Sequence, residues 1–201
     1  MLVSFNPLVS YMDNFLTDEE CDHLVELSKT RMERATVASP TGERQVSSVR
    51  TNSYGFVPQE TDEITMQITA KASRLLNVHP KYFEHIQVIH YAENEEYKPH
   101  QDSWPSTDTH WFQPHGARVA TVLFYLNTPE LGGGTNFPNL GRIVSAKKGR
   151  VVVFYNTHLG SQEPNDLAIH GGMPVIKGEK WAANLWLRTN QFQSDDIYQP
   201  N

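Results

Sequence analysis

The sequence predicts a mostly β fold, a sandwich or barrel backed by helices. Two helical patterns fall in the first 80 or so residues. After about residue 85 come several short runs rich in β-branched and aromatic residues, and glycine- or asparagine-bearing turns separate them. Thr17-Asp18-Glu19-Glu20 has the form of a capping box, in which two side chains satisfy two orphan backbone N–H groups at a helix start. Cys21, Leu24, Val25 and Ser28 follow with helical spacing, and Cys21 falls on the apolar side as a small hydrophobe. A second helix is expected from Ile64, Ile68, Ala72, Leu75 and Leu76, with Thr61 as its cap and Asn77 and Pro80 as its stop. Residues 85–91 alternate as a strand, with Ile86 and Val88 opposed to Gln87, Ile89 and Tyr91. Residues 118–127, 151–155 and 180–188 are further strands. Turns are expected at Gly132-Gly133-Gly134, Pro138-Asn139, Lys148-Gly149, Gly171-Gly172 and Lys177-Gly178. Residues 103–117 carry Trp104, Pro105, Trp111, Phe112 and Pro114 and fit neither pattern. A long aromatic loop of this kind reads as a lid.

Composition narrows the function classes. The chain has 201 residues, 17 Lys plus Arg against 23 Asp plus Glu, and a formal net charge of −6. That length suits one domain spanning 1–201. The acidic balance argues against a nucleic-acid partner held through its phosphates. One cysteine cannot close an intramolecular disulfide, and no CxxC pair is present. The most apolar stretch, 119–126, is too short to cross a bilayer. Residues 1–12 have no Lys or Arg and no sustained apolar run, so a signal peptide is not expected, nor a membrane partner, and the location expected is cytoplasmic. Nine histidines against one cysteine leave metal chemistry by imidazole and carboxylate open.

The motif that carries chemistry is His100-Gln101-Asp102. On a strand, residues i and i+2 point to one face, so the imidazole and the carboxylate can chelate one metal together. His170 is the candidate third ligand. Two histidines and one carboxylate on one face of an octahedron leave three positions free, the arrangement suited to non-haem Fe(II). Taken alone, an HxD tripeptide is more often the exposed polar end of a strand. Lys180 sharpens the reading. Along 180–188 the odd positions are Trp181, Ala183, Leu185 and Leu187, a packing face, while the even face carries Lys180, Asn184 and Trp186. If that face points inward, Lys180 is a buried charge that a carboxylate ligand would satisfy. An exposed lysine at a strand start is the simpler alternative.

Four blocks together resemble the prolyl 4-hydroxylases, Fe(II)- and 2-oxoglutarate-dependent dioxygenases related to the collagen-modifying catalytic subunit. They are QVIHYAENEEYKPHQD (87–102), ARVATVLFYLNTPELGGGTNFP (117–138), AKKGRVVVFYN (146–156) and HGGMPVIKGEKWAANLWLR (170–188), with a weaker match at SVRTNSYGF (48–56). The resemblance implies a double-stranded β-helix, or jelly roll, with flanking helices. Residues 1–84 would be a helical support region with some strands, and 85–190 the jelly-roll catalytic core. It implies iron on His100, Asp102 and His170, with these three and Lys180 as the catalytic set. Lys180 would pair with the distal carboxylate of 2-oxoglutarate. Tyr91, Thr135, Trp186 and Tyr125 would complete the cosubstrate pocket. Arg50, Glu84, Tyr97, Arg118, Trp186 and Arg188 would contact a proline-containing peptide or protein in a polyproline II conformation. The implied reaction uses O2 and passes through a ferryl intermediate, releases succinate and CO2, and has ascorbate as reductant. Retention of Asp102 points to hydroxylation rather than halogenation. The lids would be 44–56 and 103–117.

The sequence departs from the family in places. Arg188 stands where many relatives have histidine, Asn52 where serine is common, and Asn94 or Glu95 where a glycine turn precedes the metal motif. The Arg188 change keeps a free amino acid or other small metabolite open as substrate. A jelly-roll binding module with a vestigial site is a third reading. His23, His79, His85, His90, His110, His115 and His158 are taken as ordinary loop or surface imidazoles, with His90 facing away from the pocket by parity and Trp181 in the core. Monomer and homodimer are both compatible with the sequence.

Overall fold

The computed structural model describes residues 1–38, 44–108 and 112–192. In chain order the first elements are β1 (Leu2–Phe5), β2 (Leu8–Met12), α1 (Asp18–Ser28), β3 (Glu33–Arg34), β4 (Thr36–Ala38), β5 (Arg44–Val46), β6 (Ser53–Val57) and α2 (Glu63–Leu76). Next come β7 (Ile86–Tyr91), β8 (Tyr97–His100), β9 (Arg118–Tyr125), β10 (Leu131–Gly132), β11 (Thr135–Phe137) and β12 (Arg142–Val144). The last are β13 (Val151–Tyr155), β14 (His170–Gly172), β15 (Val175–Lys177) and β16 (Lys180–Arg188).

Both helices start where local chemistry stops the chain extending. Thr17 caps α1, accepting from the Glu20 N–H while the Glu20 carboxylate accepts from the Thr17 N–H at 2.8 Å. The cap of α2 is Asp62, one residue later than expected. Its carboxylate accepts from the Thr65 N–H at 2.9 Å and the Thr65 hydroxyl accepts from the Asp62 N–H at 3.0 Å, whereas the Thr61 hydroxyl donates to the Pro58 carbonyl. Asn77 ends α2 in the left-handed region at φ 53°.

The architecture is layered. Eight strands form one sheet in the order β1-β2-β13-β9-β16-β7-β6-β3, and β12-β11-β14-β8 form a second. On one face of the large sheet Val88, Val122, Phe124 and Leu185 pack against Cys21 and Leu24 of α1 and Ile68 and Ala72 of α2. On the other, Ile89, Tyr91, Leu123 and Tyr125 meet Phe137 and Val144 of the small sheet. Period-two alternation on β7, β9 and β16 produces this division. The register places Lys180 opposite Tyr91, Asn184 opposite Leu123 and Trp186 opposite Thr121, so the even face of β16 does look into the gap between the sheets. Trp181 lies on the helix side, and His90 points outward to Glu179 at 2.7 Å.

Several expectations change. Gly171-Gly172 is not a turn but part of β14. A side chain at Gly171 would meet the Tyr97 carbonyl at 2.9 Å, so the residue is glycine because β14 and β8 approach closely. β8 stops at His100, and Asp102 lies beyond the strand. Residues 1–12 form a hairpin on β13, while β6 and β3 hydrogen-bond beyond β7, so the N-terminal region completes both edges of the large sheet. The segment taken as a lid at 44–56 divides. Its end is β6, inside the sheet, and its middle runs along β8 through Lys98 N–H to Val49 O and Thr51 N–H to Glu96 O. Of the 103–117 loop, Phe112 and His115 are buried, while His110 and Trp111 lie outside the described residues. Asn94 takes φ 65° at the modified turn, a conformation asparagine tolerates. Among the described residues no helix is long and apolar enough to cross a membrane.

Candidate active site

The antiparallel pairing of β8 with β14 sets His100 directly opposite His170. Asp102, just past β8, turns back between them. Its Oδ1 lies 3.4 Å from His100 Nε2 and its Oδ2 3.6 Å from His170 Nε2. Ligand atoms from all three residues fall within 4.8 Å of one another. The protons point away from this spot. His100 Nδ1 lies 2.9 Å from the Lys98 carbonyl and His170 Nδ1 3.1 Å from the Ala168 carbonyl. A carbonyl only accepts, so each Nδ1 carries a hydrogen and Nε2 is the atom left to face a metal. Burial pushes His170 down to about 4, so it is neutral. Burial would raise the Asp102 carboxyl, but the neighbouring His170 and His100 hold it well below the usual range. Two imidazole Nε2 atoms and a carboxylate thus converge on one spot, and a divalent cation would satisfy that set. The donor chemistry fits Fe(II).

Asp102 is itself gripped. Its Oδ2 accepts from Thr121 Oγ1 at 2.6 Å and from Trp186 Nε1 at 2.9 Å, and Asn156 Nδ2 donates to Thr121 Oγ1 at 2.9 Å. Trp186 thus touches the metal-site carboxylate, a contact beyond the pocket-lining role expected of it. Thr121 and Asn156 were not singled out in the sequence. Parity along β9 puts Thr121 on the inner face; Asn156, just after β13, carries no such signal.

A cavity of about 150 Å3 opens beside the triad. At one end stands Lys180, 1% exposed. Among the described residues no hydrogen bond or ion pair reaches its ammonium, which lies 4.7 Å from the Tyr91 ring centre and 5.5 Å from that of Tyr125. Burial pushes its pKa down to about 7. Tyr91 and Thr135 line the same end. Tyr125 does not line the cavity. Its hydroxyl donates to the Val144 carbonyl at 3.1 Å and lies 2.6 Å from Thr135 Oγ1, so it braces Thr135 from behind. Such a pocket, with a buried lysine at one end and walls that mix apolar side chains such as Ile89, Leu123 and Phe154 with polar ones, suits a small dicarboxylate.

Arg50, Tyr97, Arg118 and Trp186 also line the cavity. Tyr97 stacks on His100 with ring centres 3.6 Å apart. The Arg50 guanidinium sits 4.6 Å from the Tyr97 ring centre, and that of Arg118 lies 3.7 Å from the Trp186 ring. Glu84 and Arg188 are placed otherwise than expected. Both are buried behind the wall and absent from the cavity lining. Glu84 takes two bonds from Arg118, at 2.6 and 2.8 Å, and one from Arg188 Nε at 2.6 Å, while Arg188 Nη1 donates to the Gly116 carbonyl at 2.7 Å. The departure at Arg188 is therefore absorbed by an internal ion network, and it no longer argues for a different substrate. Gln87 and Asn184 also line the cavity, on the faces that parity assigns to the interior.

A sequence profile of the 2OG-Fe(II) oxygenase superfamily matches residues 86–188, from the start of β7 to the end of β16. The chain belongs to that superfamily. This 2OG-Fe(II) oxygenase is 35% identical to "Probable prolyl 4-hydroxylase 6" of Arabidopsis thaliana over 94% of its own length and 72% of the relative's. It is 35% identical to "Prolyl 4-hydroxylase 2" of the same plant, over 94% and 70% of the two lengths. Among solved structures, the oxygenase matches a viral collagen prolyl hydroxylase of Paramecium Bursaria Chlorella virus-1, in its 2OG complex. The TM-score is 0.72 at 28% identity, covering 90% of this chain and 95% of that one. The two-sheet core with helices on one face is the jelly roll of this superfamily.

Proposed function

We propose that this oxygenase hydroxylates proline residues in a peptide or protein, consuming 2-oxoglutarate and O2 and releasing succinate and CO2. The observation that carries the reading is the pairing of the His100, Asp102 and His170 donor set with the buried Lys180, which has no ion-pair partner among the described residues, in the same cavity. The prolyl 4-hydroxylase names of the relatives, similar along nearly the whole chain, supply the substrate class.

Bound iron with 2-oxoglutarate and O2 would supply the oxidation that replaces a C–H hydrogen by hydroxyl. The chain's residues do the positioning. His100, Asp102 and His170 hold the metal through Nε2, a carboxylate oxygen and Nε2, and leave one side open. Lys180 takes the far carboxylate of the cosubstrate in a charge-assisted bond, helped by the Tyr91 and Thr135 hydroxyls. The cavity is little larger than a small dicarboxylate needs, so the proline enters from the open side. There Tyr97, Arg50 and Arg118 offer an aromatic face and cationic donors to the carbonyls of an extended chain. Glu84 and Arg188 set the pose of Arg118. Ascorbate as reductant belongs to the same proposal, and so does a single domain over residues 1–201, supported by N-terminal strands at both sheet edges.

The test is mass spectrometry of a proline-rich peptide library incubated with the protein, Fe(II), 2-oxoglutarate and ascorbate. Hydroxylated proline matched by succinate is the expected result. Succinate formed with no peptide modified overturns the peptide substrate in favour of a small metabolite. Neither product, with an intact fold, leaves a binding module.

A further inference from the structure

The chain of hydrogen bonds behind Asp102 has a fixed direction. Thr121 Oγ1 and Asp102 Oδ2 are 2.6 Å apart, too close for two lone pairs to face each other without a proton. A carboxylate that ligates a metal carries no proton, so the threonine hydroxyl supplies it. Thr121 has only that one to give. Its other neighbour, Asn156 at 2.9 Å, must then donate, which fixes the Nδ2 end of the amide toward Thr121. Asn156 is anchored in turn, its backbone N–H bonded to the Val119 carbonyl and its carbonyl to the Asn165 N–H. Every member is buried, Thr121 completely. With Trp186 Nε1 as second donor, both lone-pair directions of Asp102 Oδ2 are taken. Oδ1 alone keeps lone pairs to offer.

We infer that Thr121 and Asn156 are positioning residues: they hold Asp102 to a single coordinating oxygen and so keep the remaining metal positions open to cosubstrate and O2. The inference rests on the metal-site reading above. A carboxylate free to rotate would chelate through both oxygens and take up a position that the reaction needs. It would also lose the orientation that outer partners give to a ligand, which is typically worth ten- to a hundredfold in metal affinity. Because Asn156 acts only through the Thr121 hydroxyl, the two form a series rather than two independent supports.

The experiment titrates Co(II) into wild type, Thr121→Val, Thr121→Ser, Asn156→Leu and the Thr121→Val/Asn156→Leu double variant. It reads the dissociation constant and the visible ligand-field spectrum, with thermal melting to confirm that each is folded. Thr121→Val keeps the shape of the side chain and removes the hydroxyl. It should weaken Co(II) binding by about ten- to a hundredfold and alter the spectrum. Thr121→Ser should restore both, Asn156→Leu should weaken binding less, and the double variant should be no worse than Thr121→Val alone. A folded Thr121→Val protein with wild-type affinity and spectrum overturns the inference, as do single effects that simply add. Failure of the serine variant to rescue also counts against it. Asp102→Ala separates the two layers of the argument. If it binds Co(II) as well as wild type, the metal-site reading falls and the inference falls with it. If Asp102→Ala loses the metal while Thr121→Val does not, the metal site stands and the relay alone is overturned.

Discussion

Raising the pH should weaken binding of 2-oxoglutarate to the Mn(II)-loaded protein, because the anchor expected to receive it, Lys180, is held near its titration point by burial. Its pKa falls from 10.5 to about 7 through desolvation, with no carboxylate nearby among the described residues to offset the cost. A bound dicarboxylate brings the missing negative charge, and the ammonium regains an ordinary pKa. Below about pH 7 the lysine is charged both before and after binding, and affinity is flat. Above it the free site has lost a proton that binding must take up again, so affinity falls about tenfold per pH unit. From about pH 7 to about pH 9 the loss is roughly fiftyfold, or about 2 kcal/mol. Calorimetric titration in buffers of different ionisation enthalpy reads both quantities, and proton uptake should approach about one per site by about pH 9. Lys180→Met should abolish the pH dependence and cost about 2–5 kcal/mol of binding at neutral pH. Constant affinity across this range with no proton uptake would refute the assignment of Lys180 as the carboxylate anchor.

Two further outcomes follow from the same geometry. Glu84 would be raised by burial, yet Arg118 and Arg188 pull it from 4.5 to about 2, so its contribution to stability is complete above about pH 4.5 and lost as the pH falls toward 2. Denaturant unfolding should show wild type losing about 2 kcal/mol between about pH 6 and pH 3 that the Glu84→Gln variant does not lose. Gly171→Ala would put a methyl group 2.9 Å from the Tyr97 carbonyl oxygen and 3.0 Å from the Pro99 nitrogen. It should destabilise the fold by about 1–3 kcal/mol and weaken Co(II) binding as β14 moves off β8, which thermal melting and a metal titration would register together.

What could be read from the sequence was whatever has a short period or a local cap. β16 is nine residues long, enough for strict alternation to separate the Lys180 and Trp186 face from the Trp181 and Leu185 face, and the structure keeps that separation. The Thr17 cap and the buried Cys21 were legible for the same local reason. β14 was not, because three residues ending in Gly171-Gly172 look like a turn, and only the approach of β8 makes them a strand. The burial of Glu84 and Arg188 behind the wall was not legible, because their pairing spans 104 residues and depends on how strand ends meet. Asn156 was invisible for a related reason: its partner, Thr121, lies on β9, and Asn156 itself falls just past a strand end where no pattern marks it.

His100 and His170 belong to the small sheet, while Asp102 is tied by Thr121 and Trp186 to the large one. A metal ion on these three groups is thus a rivet through both layers of the sandwich. Its loss should loosen the seam between the sheets as well as silence the chemistry, and loading it should raise the melting temperature in proportion to the logarithm of metal concentration once the site is saturated. Lys180 and Tyr91 stand on the large sheet and face the same gap. A chain that lost its histidines would keep the buried lysine in that gap but no rivet to hold the two sheets together across it.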